Sequence, residues 1–191
     1  LIAELAAVLA FSAINNNDKV GVVFFSDRIE KFIPPKKGAT HILRIIRELI
    51  DFRPAHTTTR IEEGLKFFTN AIKKRSIAFL ISDFRDQGFG DALRIASRKH
   101  DLIALRIYDE RETRLPDSGL IRIADAETGR ETWADTSSRE LRERYARHFE
   151  RHTASLEDLF RRSGIDFTHL RTDQDYVRPL LNLFRKRERR K

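Results

Sequence analysis

Ile77-Ala-Phe-Leu-Ile-Ser-Asp83 is a short run of strand-forming residues that stops on an acid, and three other segments repeat the pattern. Val20 to Ser26 runs into Asp27, Leu102 to Tyr108 into Asp109, and Ile165 to Thr172 into Asp173. Brief apolar runs rich in Val, Ile and Phe, alternating with helix-patterned segments, are what a parallel sheet covered on both faces produces. The expected class is therefore α/β, a mostly parallel sheet with helices on both faces. The acids would then share one rim. Open α/β sheets bind ligands beyond the carboxyl ends of their strands, so the rim suits a hard cation or a cationic partner.

With 191 residues the chain is long enough for one domain with a real core, spanning 1–191 with decorations. Hydrophobic residues make up 40% and charged residues 35%, which fits a globular fold with a heavily charged surface. No run approaches the roughly 18 apolar residues of a membrane span, and no signal-peptide layout is present. Cysteine is absent, which excludes disulfides, thiol catalysis and cysteine-held zinc or iron–sulfur centres and fits a cytoplasmic location. Leu1 sits directly in an apolar helical pattern and methionine is absent, so the chain reads as a piece of a longer protein.

The formal charge of +8 is concentrated in Arg139 to Arg162 and in Arg185, Lys186, Arg187, Arg189, Arg190 and Lys191. Such an excess suits nucleic acid, an anionic surface or an acidic protein. The competing interpretation is a solvated Arg/Glu helix laced by i,i+4 pairs.

Along the chain, Leu1 to Asn15 patterns as a helix packed on both sides, ended by Asn15 to Asn17. Lys19 to Ser26 and Arg28 to Ile33 predict a hairpin whose second strand lies at an edge and is stopped by Pro34 and Pro35. Thr40 is the expected N-cap of a helix to about Phe52, and a helix over Ile61 to Arg75 follows Thr59, its last lysines and arginine favouring the C-terminal dipole. A helix from Asp91 to Lys99 connects the Asp83 and Asp109 strands. Leu120 to Ala124 and Glu131 to Ala134 flank Asp-Ala-Glu-Thr-Gly, which predicts a small β-hairpin inserted near 115–135. Ser-Ser-Arg-Glu opens a long helix, Ser137 to Arg162, as a capping box. A last strand, Ile165 to Leu170, precedes a basic terminal helix, 174–191.

Thr59-Arg-Ile-Glu-Glu-Gly-Leu65 together with Leu80-Ile-Ser-Asp-Phe84 resembles the von Willebrand factor A-type fold and, within it, the bacterial family called domain of unknown function 58. The resemblance extends through Asp18-Lys-Val-Gly-Val-Val-Phe-Phe-Ser-Asp-Arg-Ile-Glu30, Phe32-Ile-Pro-Pro-Lys36, Leu102 to Asp109, Asp125-Ala-Glu-Thr-Gly129 and Thr172-Asp-Gln-Asp-Tyr-Val177. It implies a metal-ion-dependent adhesion site, in which an Asp-x-Ser-x-Ser motif, a threonine and an aspartate hold Mg²⁺. Thr59 matches that threonine and Asp83 that aspartate, with Asp27 and Asp86 as supporting rim acids. Magnesium wants octahedral oxygen ligands, and an open position would accept a partner's carboxylate. The implied partner is a MoxR-type AAA+ ATPase or another protein with an exposed acid, in protein assembly or maturation.

No Asp-x-Ser-x-Ser occurs in this chain. In this fold the strand carrying it lies between the Asp27 and Asp83 strands, so a first strand is expected upstream of Leu1. Arg60 stands beside Thr59 where relatives often carry an acid, which makes the local field more positive.

Each acid has a bland alternative. Aspartates at strand exits commonly cap helices or close Asx-turns, and Asp27, Asp109 and Asp173 suit that role. His148 and His152 are spaced for zinc, but Phe149 replaces the glutamate of a zincin, which favours an exposed pair. Gly88 and Gly90 lack the spacing of a nucleotide loop, and no nucleophile elbow occurs. The expected function is thus a non-enzymatic protein-binding module. The alternative is a basic scaffold for nucleic acid or anionic surfaces. Nucleic acid is the less favoured partner, because Trp133 and Tyr145 are not interleaved with basic residues along a strand.

Overall fold

A computed structural model describes residues 1–125 and 129–189. Its centre is a parallel sheet of β3 (Ile77–Ser82), β4 (Asp101–Tyr108) and β7 (Asp166–Arg171), with β4 in the middle. β4 has a neighbour on each side and buries every residue from Leu102 to Ile107, as a continuous apolar run in a parallel sheet should. Its alternate residues feed two cores. Leu102 and Ala104 pack with Ile61 and Leu65 of α3 (Ile61–Ala71), Leu93 and Ala96 of α4 (Gly90–Lys99), and Leu156 and Phe160 of α6 (Arg139–Arg162). Ile103, Leu105 and Ile107 meet Leu5 of α1 (Ile2–Asn15) and Leu180 and Leu183 of α7 (Val177–Glu188). Each fully buried Leu, Ile or Phe contributes about 1.5–3 kcal/mol, so this two-sided layer dominates stability.

The expected single sheet is divided. Among the described residues β1 (Val20–Phe25) pairs only with β2 (Ile29–Lys36), antiparallel, over a small core of Phe24, Ile33 and Ile45 of α2 (Ala39–Asp51). β1 and β3 are not hydrogen-bonded to one another, and neither is buried along its length as β4 is. Helix α3 bridges them. Gly64 lets it approach β1 closely, since a Cβ there would stand 2.9 Å from the Phe25 ring.

Several boundaries differ from expectation for local reasons. β2 continues through Pro34 and Pro35, which an edge strand tolerates, with a register shift opposite Gly21. A Cβ on Gly21 would meet the Ile33 carbonyl oxygen and the Pro35 nitrogen at 2.8 Å. Gly38, not Thr40, stands at the N-cap of α2. Helix α3 ends at Ala71 with Ile72 extended, so Lys73 to Arg75 lie beyond it and its last turn carries no basic residue. Helix α1 is packed on one face rather than two: Leu5 and Ala10 are buried while Ile2, Val8 and Phe11 are about half exposed.

The inserted hairpin forms as β5 (Leu120–Ala124) and β6 (Glu131–Asp135), and residues 126–128 of its expected turn lie outside the described residues, as do Arg190 and Lys191 of the basic tail. Ser138, rather than Ser137, caps α6 by accepting from the Leu141 N–H. Among the described residues no helix is long and apolar enough to cross a membrane.

Candidate functional site

The carboxyl end of β3 and the N-terminus of α3 meet at one rim. Arg60, the N-cap of α3, offers no side-chain cap, and the Ile61 N–H donates instead to Asp86 Oδ2 at 2.7 Å. The Arg60 N–H donates to the Ser26 carbonyl at 2.9 Å. These two bonds gather the exits of β1 and β3 and the Thr59 segment into one region. Thr59 and Asp83, both expected at the rim, therefore belong to neighbouring segments. Asp86 caps α3 across the gap through Oδ2, while its Oδ1 accepts from the Gln87 N–H of the segment that follows it at 2.7 Å.

Asp83 sits in a turn held from several directions. The Phe84 N–H donates to Ser82 Oγ at 3.0 Å, and Asp83 Oδ1 accepts from the Arg85 N–H at 3.3 Å. Phe84 has φ of 57°, an outlier conformation for a bulky side chain. It is held there because its ring is 0% exposed, packed edge-on to Phe160 and tilted against Phe89. His152 Nε2 of α6 lies 3.0 Å from the Phe84 carbonyl oxygen. Strain of this kind costs about 1–3 kcal/mol and persists only where packing over-determines it. Asp83 remains open to solvent, its side chain 46% exposed.

The other acids are occupied. Asp27 pairs with Arg28, whose hydrogen bond first of all holds its carboxyl below the usual range. Ser26 donates to Glu30 at 2.7 Å and is the leading cause of the lowered Glu30 pKa. Asp109 caps the short helix α5 (Glu110–Thr113) in a capping box with Glu112. Asp173 pairs with Arg171 at 2.6 Å.

A positive field surrounds Asp83. Arg85 Nε stands 3.8 Å from Asp83 Oδ2, while its Nη2 bonds Glu112 at 2.8 Å. Burial is the largest single influence and opposes the Arg85 charge, but the Glu112 hydrogen bond together with the Glu112 and Asp83 charges outweighs it and raises the Arg85 pKa. Beneath the rim Arg106 is 3% exposed, donates to Thr153 at 2.7 Å, and stacks over the Phe149 ring. Its Nε has no partner among the described residues. Burial lowers its pKa and, with the Arg106 charge as the next cause, lowers those of His152 and His169. Sequence reading missed Arg106. The available signal was a lone arginine at an inward position between Leu105 and Ile107.

Magnesium is not accommodated by these residues alone. Thr59 and Asp83 offer too few oxygens for an octahedral ion, a guanidinium stands beside Asp83, and among the described residues no group of three His, Asp or Glu could hold a metal. His148 and His152 form no zinc pair, since His152 is turned to the Phe84 carbonyl.

The family model described as Protein of unknown function DUF58 matches residues 1–155. Uncharacterized proteins of Mycobacterium bovis and Mycobacterium tuberculosis are each 25% identical over 189 residues, covering 96% of this chain and 59% of their own length. The chain spans about three-fifths of the length of those relatives. An uncharacterized Mycobacterium avium protein is 30% identical over 118 residues, covering 61% of this chain and 69% of its own. Two solved structures share the fold. A conserved hypothetical protein BatB from Bacteroides thetaiotaomicron has TM-score 0.55 and 16% identity, covering 97% of this chain and 87% of its own. An aerotolerance-related membrane protein from Bacteroides fragilis has TM-score 0.58 and 13% identity, covering 99% and 89%.

Proposed function

We propose that this chain, which belongs to the DUF58 family, is a non-enzymatic protein-binding module that presents the rim around Thr59 and Asp83 to its partner. The observation that carries this is the Asp86 to Ile61 bond, which draws the β3 exit to the start of α3 while Asp83 stays exposed. A turn held by Ser82, Phe84 and His152 offers a preorganised carboxylate, and preorganisation lowers the cost of binding.

The finer proposal is a von Willebrand factor A-type domain completed by a strand entering between β1 and β3. Both strands have an unpaired edge there, and such edges are normally paired or covered. Magnesium would need that strand's oxygens beside Thr59 and Asp83, so it is part of the completed domain only. The partner class is a MoxR-type AAA+ ATPase or another protein with an exposed acid, and the setting proposed is the cytoplasm. Nucleic acid is disfavoured because Arg139, Arg142, Arg147, Arg161 and Arg162 of α6 are already paired with carboxylates of this chain.

Calorimetric titration of the full-length protein with a MoxR-type ATPase tests the proposal. Asp83→Ala and Thr59→Ala should each weaken binding about tenfold, the equivalent of about 1.4 kcal/mol. Unchanged affinity in both variants would remove the rim from the function.

A further inference from the structure

A second surface adjoins the rim on the side of α6, where Tyr145 comes within electrostatic reach of Arg85. The inner face of the β5–β6 hairpin and the first half of α6 enclose a cleft of about 390 Å³, lined by Leu115, Ile123, Ala134, Leu141 and Tyr145 with Arg144, His148 and Arg151 at its margin. Leu141, Arg144, Tyr145, His148 and Arg151 recur at helical spacing, so they form one stripe of α6. Trp133 is on the hairpin's opposite face, because it pairs with Arg122 while Ala134 pairs with Ile121.

The charges in this stripe differ from those elsewhere on the helix. The other arginines on the exposed sides of α6 meet a nearby acid: Arg139 and Arg147 share Glu143, Arg142 takes Asp117, Arg161 Glu157 and Arg162 Asp158. Among the described residues Arg144 and His148 have no hydrogen bond or ion pair, and Arg151 donates only to the Arg147 carbonyl at 3.3 Å. Among the described residues the cleft lining contains no Asp or Glu. An apolar lining bordered by the guanidinium groups of Arg144 and Arg151, which have no acid partner among the described residues, is complementary to an apolar side chain flanked by carboxylates.

We infer that this cleft docks an acidic amphipathic peptide segment of a partner protein, with an apolar residue against Leu115, Ile123, Ala134 and Leu141 and carboxylates on Arg144 and Arg151. Seven residues separate the two arginines, which spaces the matching acids by about 10 Å along the groove. A nucleic acid would need a longer basic track following many phosphates, and base stacking in place of an apolar floor. A peptide groove of this kind is energetically anchored by its buried apolar residue, with the charges setting orientation and specificity. The cleft lining includes none of Thr59, Asp83 and Asp86, so substitutions in it are distinct from those that test the rim.

Fluorescence anisotropy tests it on the full-length protein, using a labelled helical peptide of leucine and glutamate, the same peptide with glutamine for glutamate, and a labelled single-stranded oligonucleotide. Glutamine replacement should weaken binding about tenfold, as should the double reversal Arg144→Glu with Arg151→Glu. Ala134→Trp, which fills the floor, should weaken it comparably while the circular dichroism spectrum stays unchanged. A chelator should have no effect. The inference is overturned if the glutamate peptide does not bind, if binding ignores the charge reversal, or if the oligonucleotide binds through these arginines and the peptide does not. Self-association lost on charge reversal, without peptide binding, would equally replace the peptide with a second copy of this chain.

Discussion

Asp86 caps helix α3 from outside it: its Oδ2 accepts from the Ile61 N–H at 2.7 Å, twenty-five residues away in sequence. The N-terminal N–H groups of a helix lack intrahelical acceptors, and Arg60 supplies none, so this contact joins helix stability to the position of the β3 exit. Asp86→Ala should destabilise the fold by about 1 kcal/mol, in the range for lost caps. Urea denaturation measures it. An unchanged midpoint would show that solvent replaces the cap at no cost.

Gly64 sets the distance between α3 and β1. Gly64→Ala would place a methyl 2.9 Å from the Phe25 ring, and overpacking of this kind costs about 1–3 kcal/mol. Alanine favours helix by about 1 kcal/mol over glycine, so the clash must outweigh that gain. The expected thermal midpoint is lower than wild type, and a higher one would show that Phe25 moves aside freely.

His152 and His169 give the fold an acid-sensitive side. Burial, and then the Arg106 charge, depress both imidazole pKa values below the ordinary value near 6.5. His152 faces Phe84, Arg85 and Arg106, with His148 on its own helix, and His169 faces Glu157, Arg106 and Phe167. Because the unfolded chain binds these protons first, their stabilising contribution is intact above the unfolded pKa. It is lost as pH falls below about 6.5 toward the lower folded values. Denaturation midpoints should therefore fall between about pH 7 and pH 5, and His152→Gln should flatten the slope. An identical slope in the variant would contradict this assignment.

Arg106 is buried without a carboxylate at ion-pair distance among the described residues. Its bond to Thr153 and its contact with Phe149 are set against a desolvation cost of several kcal/mol. Arg106→Met, which fills similar space, should leave stability within about 1 kcal/mol or raise it. Arg106→Ala should cost about 2–5 kcal/mol through the cavity it opens. Chemical denaturation separates the two, and equal losses would show that the charge itself holds α6 to the sheet.

The parallel strands, their order of appearance and the inserted hairpin were legible because apolar runs and turn residues state them locally. The division of the sheet was also prefigured, since no segment of the chain was available to stand between β1 and β3. What could not be seen was set by tertiary contact. Phe84 reads as an ordinary apolar residue, yet packing against Phe160 and the bond with His152 hold it at positive φ. His152 read as one of an exposed histidine pair, yet it is partly buried and lies against a main-chain carbonyl. Asp86 read as a supporting rim acid, whereas it caps a helix that precedes it in the chain. Arg106 was hidden inside a strand between the apolar Leu105 and Ile107, and the arginines of α6 without an acid partner became distinct only once their siblings' acids were located.

Hydrogen–deuterium exchange of the full-length protein, alone and with a MoxR-type ATPase in Mg²⁺, tests the central claim most directly. Capture at the rim should slow exchange at residues 59–61 and 83–87, and Asp83→Ala should abolish that protection without altering exchange in β4. Partner binding that leaves both rim segments exchanging at their free rates would contradict the assignment of this rim as the docking site.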